Sequence, residues 1–158
     1  MNYSSKFYRD LKYGEIGEKI ISSYLIDKGY NILNFNKDKD YDIKVEKNGI
    51  IKTLEIKTDR YEFFKNKKTN NMFIETECNG KKSGVKATKA DYLIYFYPDY
   101  EVAYLISINN INELLRFGIR SSFSGDGGKV VGYLFNRFEF GKYFKILNIP
   151  KDKIWDLN

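Results

Sequence analysis

Histidine is absent from this chain of 158 residues. Its absence excludes Ser-His-Asp and Cys-His catalysis, nucleases with a histidine general base, and nearly every zinc hydrolase design. Cysteine occurs once, at Cys78, so neither an internal disulfide nor a multi-cysteine zinc site can form. Cys78 follows Glu77 with no visible base partner, which argues against a thiol nucleophile. The two prolines, Pro98 and Pro150, are isolated, and no Pro- or Gly/Ser-rich linker divides the chain. Apolar runs are far shorter than the roughly 20 residues of a membrane helix. Residues 1–11 have no apolar stretch of signal-peptide type. A cytoplasmic, membrane-free protein is therefore expected. Any chemistry must come from carboxylates, lysines, hydroxyls or a hard cation held by oxygen.

Enough apolar surface is present to bury a core: 42% of residues are hydrophobic and 30% charged. The length fits one domain, residues 1–158, with a core over about 5–108 and a C-terminal elaboration over about 109–158. The net charge of +6 is local. Residues 65–89 hold seven lysines against Glu75 and Glu77, while the flanking regions are nearly balanced. Such a patch suits a polyanion, most simply nucleic acid. An ordinary solubilising lysine surface has the same composition.

The spacing predicts a helix from about Ser5 to Lys28. Tyr13, Ile16, Gly17, Ile20 and Tyr24 fall on one side, Ile21 and Leu25 widen the stripe, and Gly29 is a natural stop. Strands are predicted at residues 31–35, 41–46, 50–58, 72–77, 92–97 and 102–108. A short helix is expected over Val85–Ala90, and another over Ile111–Phe117 capped by Asn110. Residues 61–71 and 121–129 read as loop and turn, and Val130–Phe140 as a late hairpin. This is an α/β chain with a mixed β-sheet flanked by helices. The run Gly125-Asp126-Gly127-Gly128-Lys129 lacks the spacing of a Walker phosphate loop, so no nucleotide cofactor is expected. The 14 tyrosines and 12 phenylalanines suit a core as readily as base stacking.

The hairpin around Asn48-Gly49 carries the chemistry. A two-residue turn makes paired positions sum to 97 and sets Asp42 opposite Glu55. Alternation then sends Tyr41, Ile43, Val45, Leu54 and Ile56 to one face, and Asp42, Glu55 and Lys57 to the other. Facing carboxylates destabilise a sheet. A divalent cation would turn that repulsion into ligation, with oxygen donors suiting Mg²⁺ or Mn²⁺. Lys57, two residues on, could stabilise developing negative charge or orient a water. The same residues could equally form a solvated polar face, with Lys57 relieving the charge.

Asp42, then twelve residues, then Glu55-Ile56-Lys57 resembles the PD-(D/E)xK nuclease superfamily, of restriction-endonuclease-like fold. Tyr41, not proline, precedes Asp42, and that proline is often absent in the superfamily. The segment Gly14-Glu15-Ile16-Gly17-Glu18, ahead of Ile20, Ile21, Leu25 and Gly29-Tyr30, is similar to the first helix of archaeal Holliday-junction resolvases. The resemblance spans residues 13–97. It implies a Mg²⁺-dependent endonuclease acting on DNA, with Asp42, Glu55 and Glu18 as metal ligands and Lys57 as the catalytic lysine. It also implies an isologous homodimer, since two scissile strands need two sites. A junction or branched substrate is one expectation and RNA another. The same fold used as a non-catalytic nucleic-acid or protein-binding module is the alternative, although Asp42, Glu55 and Lys57 are all retained. A narrower likeness, carried by Phe73-Ile74-Glu75, Ser83-Gly84-Val85 and Thr88-Lys89-Ala90-Asp91-Tyr92, is to small phage-type proteins of the superfamily. It suggests Glu75 as an added ligand and Lys89 as a phosphate contact beside Lys81, Lys82 and Lys86. Glu75 also reads as a plain strand-surface residue, and Thr88 and Asp91 as turn residues framing a helix.

Overall fold

The structure, a computed structural model, describes residues 3–36, 40–59, 63–64, 67–125 and 128–155. A long helix α1 (Tyr3–Asp27) leads into β1 (Asn31–Phe35), β2 (Ile43–Lys47) and β3 (Ile50–Thr58). Two short pieces follow, β4 (Phe63–Phe64) and β5 (Lys67–Lys68), which pair with each other. Next come β6 (Asn71–Cys78), β7 (Lys81–Lys82), β8 (Tyr92–Tyr97) and β9 (Val102–Ser107). The chain ends with α2 (Ile108–Leu114), β10 (Ile119–Gly125), β11 (Gly128–Asn136), α3 (Arg137–Phe140), β12 (Lys145–Asn148) and α4 (Lys151–Trp155).

A mixed six-stranded sheet, ordered β1-β2-β3-β8-β9-β12, forms the centre, and a second sheet is ordered β10-β11-β6-β7. The parallel pair β3–β8 lies in the middle of the first sheet, where hydrogen bonds hold β3 on both sides. One face is covered by α1. Ile20, Ile21 and Leu25 meet Ile43, Val45, Leu54, Ile94 and Phe96 there. Gly17 makes this contact close, because a β-carbon at that position would overlap the Thr58 side chain. The opposite face carries Leu93, Tyr95, Tyr97, Tyr104 and Ile106, packed with Met72, Ile74 and Phe135 of the second sheet. Among the described residues no helix is long and apolar enough to cross a membrane.

The first hairpin has the expected register, with Ile43 opposite Leu54 and Lys47 opposite Ile50. Asn48 and Gly49 take φ values of 53° and 79°, the two positive angles that a type I′ turn requires. Other expectations change. Ser107, not Asn110, caps α2: its hydroxyl accepts the Asn110 N–H at 3.1 Å, so the helix starts three residues early. The predicted helix over Val85–Ala90 is only a 3-10 turn, Gly84–Lys86. The segment read as turn-rich is mostly β10, and β10 and β11 form the hairpin; Asp126 and Gly127 lie outside the described residues. Phe140 is not in a strand, because Asn136 accepts the N–H groups of Phe138 and Glu139 and starts α3 instead.

Candidate active site

Asp42 sits where the β2–β3 ladder stops. The last regular pair is Ile43 with Leu54. One residue earlier, the Asp42 N–H donates to the Leu54 carbonyl at 2.9 Å, and its carboxylate takes the Ile56 N–H at 2.6 Å. A side-chain oxygen thus replaces a backbone acceptor at the strand's end. The break also corrects two expectations. Asp42 and Glu55 are not a regular cross-strand pair. Tyr41 does not join Ile43 and Val45; it packs with the core on the other side and donates its hydroxyl to Asn34 at 3.2 Å. Beyond the end of the ladder, strand alternation no longer fixes which face a residue takes.

Glu55 projects from β3 beside Leu93, and Lys57 beside Tyr95. Glu55 is half-buried and Lys57 is exposed. Glu18 comes from α1, one residue after Gly17 presses the helix onto Thr58. The three carboxylates feel one another. Burial, then the charges of Asp42 and Glu15, push the Glu18 carboxyl up to about 7. Burial and the Asp42 charge push Glu55 up to about 7 as well; Glu18 adds to the rise, while the Thr88 hydroxyl and Lys57 oppose it. Burial also raises Asp42, against the pull of the Ile56 N–H. The structure therefore brings Glu18, Asp42, Glu55 and Lys57 into one neighbourhood.

A loop clamps this neighbourhood. The Lys89 N–H donates to the Asp40 carbonyl at 2.7 Å, and its ammonium pairs with the Asp40 carboxylate at 3.0 Å. Asp91 accepts both the N–H and the hydroxyl of Thr53, at 2.8 and 3.1 Å. Thr88 Oγ1 lies 2.8 Å from Glu55 Oε2 and 3.0 Å from the Asp40 carbonyl. A hydroxyl has one proton, so it serves one of these acceptors at a time. Thr88 and Asp91 frame no helix; they tie the loop to β3 and to the approach to β2. Thr88 is the site residue that sequence reasoning assigned to a turn. Its signal was position alone, just before the strand that pairs with β3.

Asp59 continues the alternation Glu55, Lys57, Asp59 just beyond β3, a signal that sequence reading passed over. Its carboxylate accepts the Tyr95 hydroxyl, and the Tyr95 oxygen takes the Phe73 N–H at 3.1 Å. A 190 Å³ cavity opens between the two sheets next to these residues. Glu55, Lys57, Phe73, Glu75, Ser83 and Tyr95 line it. Lys81, Lys82 and Lys86 are exposed on β7 and the following turn. Lys89 is exposed too but already paired with Asp40. A larger cavity of 420 Å³ lies on the helix side, bordered by Gly17, Thr58, Pro98 and Ile154, and holds none of the four clustered residues.

The donor set is all oxygen, partly desolvated and mutually repelling, which fits a hard dication such as Mg²⁺. Asp42 and Glu55 each have one oxygen engaged by a single hydrogen bond, to Ile56 and Thr88. Among the described residues no group of three acidic or sulfur side chains is placed to enclose an ion. Water or substrate oxygens would therefore have to complete any coordination shell.

A scan of known protein families finds no match to this chain, and a search of curated proteins finds none either. Among solved structures, a bacterial homing endonuclease, I-Ssp6803I, is similar over 61% of this chain and 68% of its own, with 16% identity and a TM-score of 0.49. That degree of likeness transfers no residue assignment.

Proposed function

We propose that this chain is a divalent-cation-dependent endonuclease that hydrolyses DNA phosphodiester bonds. The observation that carries the reading is the convergence of Glu18 and Glu55, both raised by burial and by the charge of Asp42, with Asp42 itself raised by burial and Lys57 two residues beyond Glu55. Three crowded carboxylates lower stability, and a fold that keeps them gains when a cation or phosphate-bound cation joins them. A Mg²⁺ ion held by Asp42 and Glu55, with Glu18 completing the acidic side, would neutralise the phosphate and polarise its oxygens. Asp42 is fixed by Ile56 and Glu55 by Thr88, so neither carboxylate needs to be ordered when substrate arrives. Lys57 reaches outward and stabilises charge that builds on the phosphoryl oxygens. An attacking water forms the new P–O bond and passes its proton to a carboxylate of the Glu18–Glu55 pair, while the departing oxygen takes a proton from solvent. Lys81, Lys82 and Lys86 supply sequence-independent phosphate contacts at the rim. A homodimer would give one centre per strand.

The test is cleavage of supercoiled plasmid, a branched junction and RNA with Mg²⁺, Mn²⁺ or EDTA. Lys57→Ala should lower single-turnover cleavage by about 10²–10³ while cation affinity holds. Glu55→Ala should lose both. Cleavage by Lys57→Ala at the parent rate would remove the catalytic assignment and leave a binding module.

A further inference from the structure

Glu55 and Lys57 form one side of the 190 Å³ cavity, and the hydrolysis described above leaves the residues of its other side unused. Its far wall belongs to the second sheet. Glu75 is held twice there: Ser83 donates its hydroxyl to the Glu75 carboxylate, and Gly84 lies against the Glu75 carbonyl with no room for a side chain. Gly84 also has a φ of +49°, which disfavours other residues. Phe73 is pinned through its N–H to Tyr95 and edge-on to Phe123, with ring centres 4.9 Å apart. Glu75 is not among the charges that move Glu55, which are those of Asp42, Glu18 and Lys57. Glu75 lines the cavity from the second sheet, and Glu55 and Lys57 line it from the first.

The shape and chemistry of this wall select a ligand. The volume is below the roughly 300 Å³ where pockets for drug-sized molecules begin. It suits one planar heterocycle and not a base pair. Phe73 is half-buried and offers an aromatic face on which a base can stack, while the almost fully buried Tyr95 closes the cavity behind it. The Glu75 carboxylate oxygens accept hydrogen bonds, and an exocyclic amino group offers them two N–H donors on one nitrogen where thymine offers only its single ring N–H. Lys57 and Glu55 stand at the same cavity, which puts the occupant next to the phosphate under attack. We infer that the cavity takes one unpaired nucleobase bearing an exocyclic amino group, so that the substrate class is DNA with an extrahelical or single-stranded nucleotide at the cleavage position. This rests on the nuclease reading of the neighbouring carboxylates. A continuous duplex must first unpair and unstack a base to fill the cavity.

The experiment measures affinity apart from cleavage. Asp42→Asn protein in Ca²⁺ is titrated with a paired duplex and with the same duplex carrying one bulged cytosine, thymine or abasic site. The bulged cytosine should bind about tenfold tighter than the abasic site or the paired duplex. Adding Glu75→Leu should erase that preference and leave duplex affinity unchanged. Adding Glu75→Gln, which presents a donor as well as an acceptor, should narrow the gap between cytosine and thymine. Phe73→Ala is the riskier variant, because Phe73 also packs on Phe123, so a melting curve accompanies each protein. Equal affinity for cytosine and abasic bulges, or a preference that survives Glu75→Leu, would overturn the pocket. Parent protein in Mg²⁺ separates the two ideas. Cleavage without base preference defeats the pocket alone, whereas intact preference without cleavage of any substrate supports the pocket and defeats the hydrolytic reading.

Discussion

The two faces of the six-stranded sheet are filled by different side chains. Toward α1 the core is mainly aliphatic: Ile20, Ile21, Leu25, Ile43, Val45, Leu54, Ile94 and Ile149. Toward the second sheet it is rich in rings, with Tyr95, Tyr97, Tyr104, Phe135 and Phe144. The aliphatic side closes against the helix and fixes where Glu18 lies. The aromatic side is stiff but tipped with oxygen. Tyr95 donates to Asp59, Tyr97 to the Asn71 carbonyl at 3.1 Å, and the Tyr104 hydroxyl receives Arg137 at 3.4 Å. Rigid rings with polar tips can border a cavity without collapsing into it. The acidic cluster stands where these two constructions meet, at the open end of the β2–β3 ladder.

The largest effect on stability should come from the aliphatic side. Ile43 is fully buried, and Ile43→Ala should cost about 2–5 kcal/mol in thermal or urea unfolding, with any activity falling as the folded fraction falls. A comparable loss from an aromatic-side hydroxyl deletion would break the contrast.

The junction of the two faces should show itself through pH. Glu18 and Glu55 are raised from 4.5 to about 7, so the folded protein binds their protons more tightly than the unfolded chain does. Stability is therefore full below about 4.5, falls as pH rises toward 7, and levels off above. The drop is on the order of 2 kcal/mol after solvent screening is allowed for. Glu55→Gln should flatten the slope and raise the melting temperature at pH 8. Millimolar Mn²⁺ should do the same for the parent and not for the variant. A melting temperature that climbs from pH 5 to pH 8 without metal would contradict the clustering.

A smaller effect, about 1 kcal/mol, is expected for Tyr97→Phe, which leaves the Asn71 carbonyl without that donor but keeps the ring. Chemical denaturation would resolve it from Ile43→Ala. The smallest is expected for Thr88→Val. It keeps the shape, removes a donor that lowers the Glu55 carboxyl, and should move the Glu55 titration upward with little change in unfolding. A carbon-detected NMR titration of the Glu55 carboxyl would read that shift, and a downward move would show that Thr88 serves only Asp40.

The first hairpin was legible because its information is local. Asn48-Gly49 satisfies the positive angles of its turn, and the turn alone fixes the pairing of Ile43 with Leu54. Glu18 was named only through the resemblance of its segment; the helical periodicity itself placed Ile20 and Ile21 on the buried face. Tyr41 was assigned to the wrong face because alternation assumes an unbroken ladder, and the ladder stops at Asp42. The strand β10 was missed because Ile-Arg-Ser-Ser-Phe-Ser-Gly has little apolar alternation; its conformation comes from pairing with β11. Thr88 looked like punctuation because its partner Glu55 is 33 positions away. Contacts of that kind are set by tertiary packing, which a single sequence does not display.

The pairing of β6 with β11 has a consequence for how the chain matures. Glu18, Asp42 and Glu55 all precede β6 and β11 in the chain and leave the ribosome before them, and α1 with β1–β3 can begin to assemble from contacts close in sequence. The wall bearing Phe73 and Glu75 is anchored by Met72 against Phe135 and Glu75 against Gly132, so it must wait for β11. The carboxylates can therefore gather before the surface that faces them across the cavity exists. A nascent or truncated chain would carry its acidic cluster ahead of the element that discriminates among bases, and discrimination would arrive only with the closing strand.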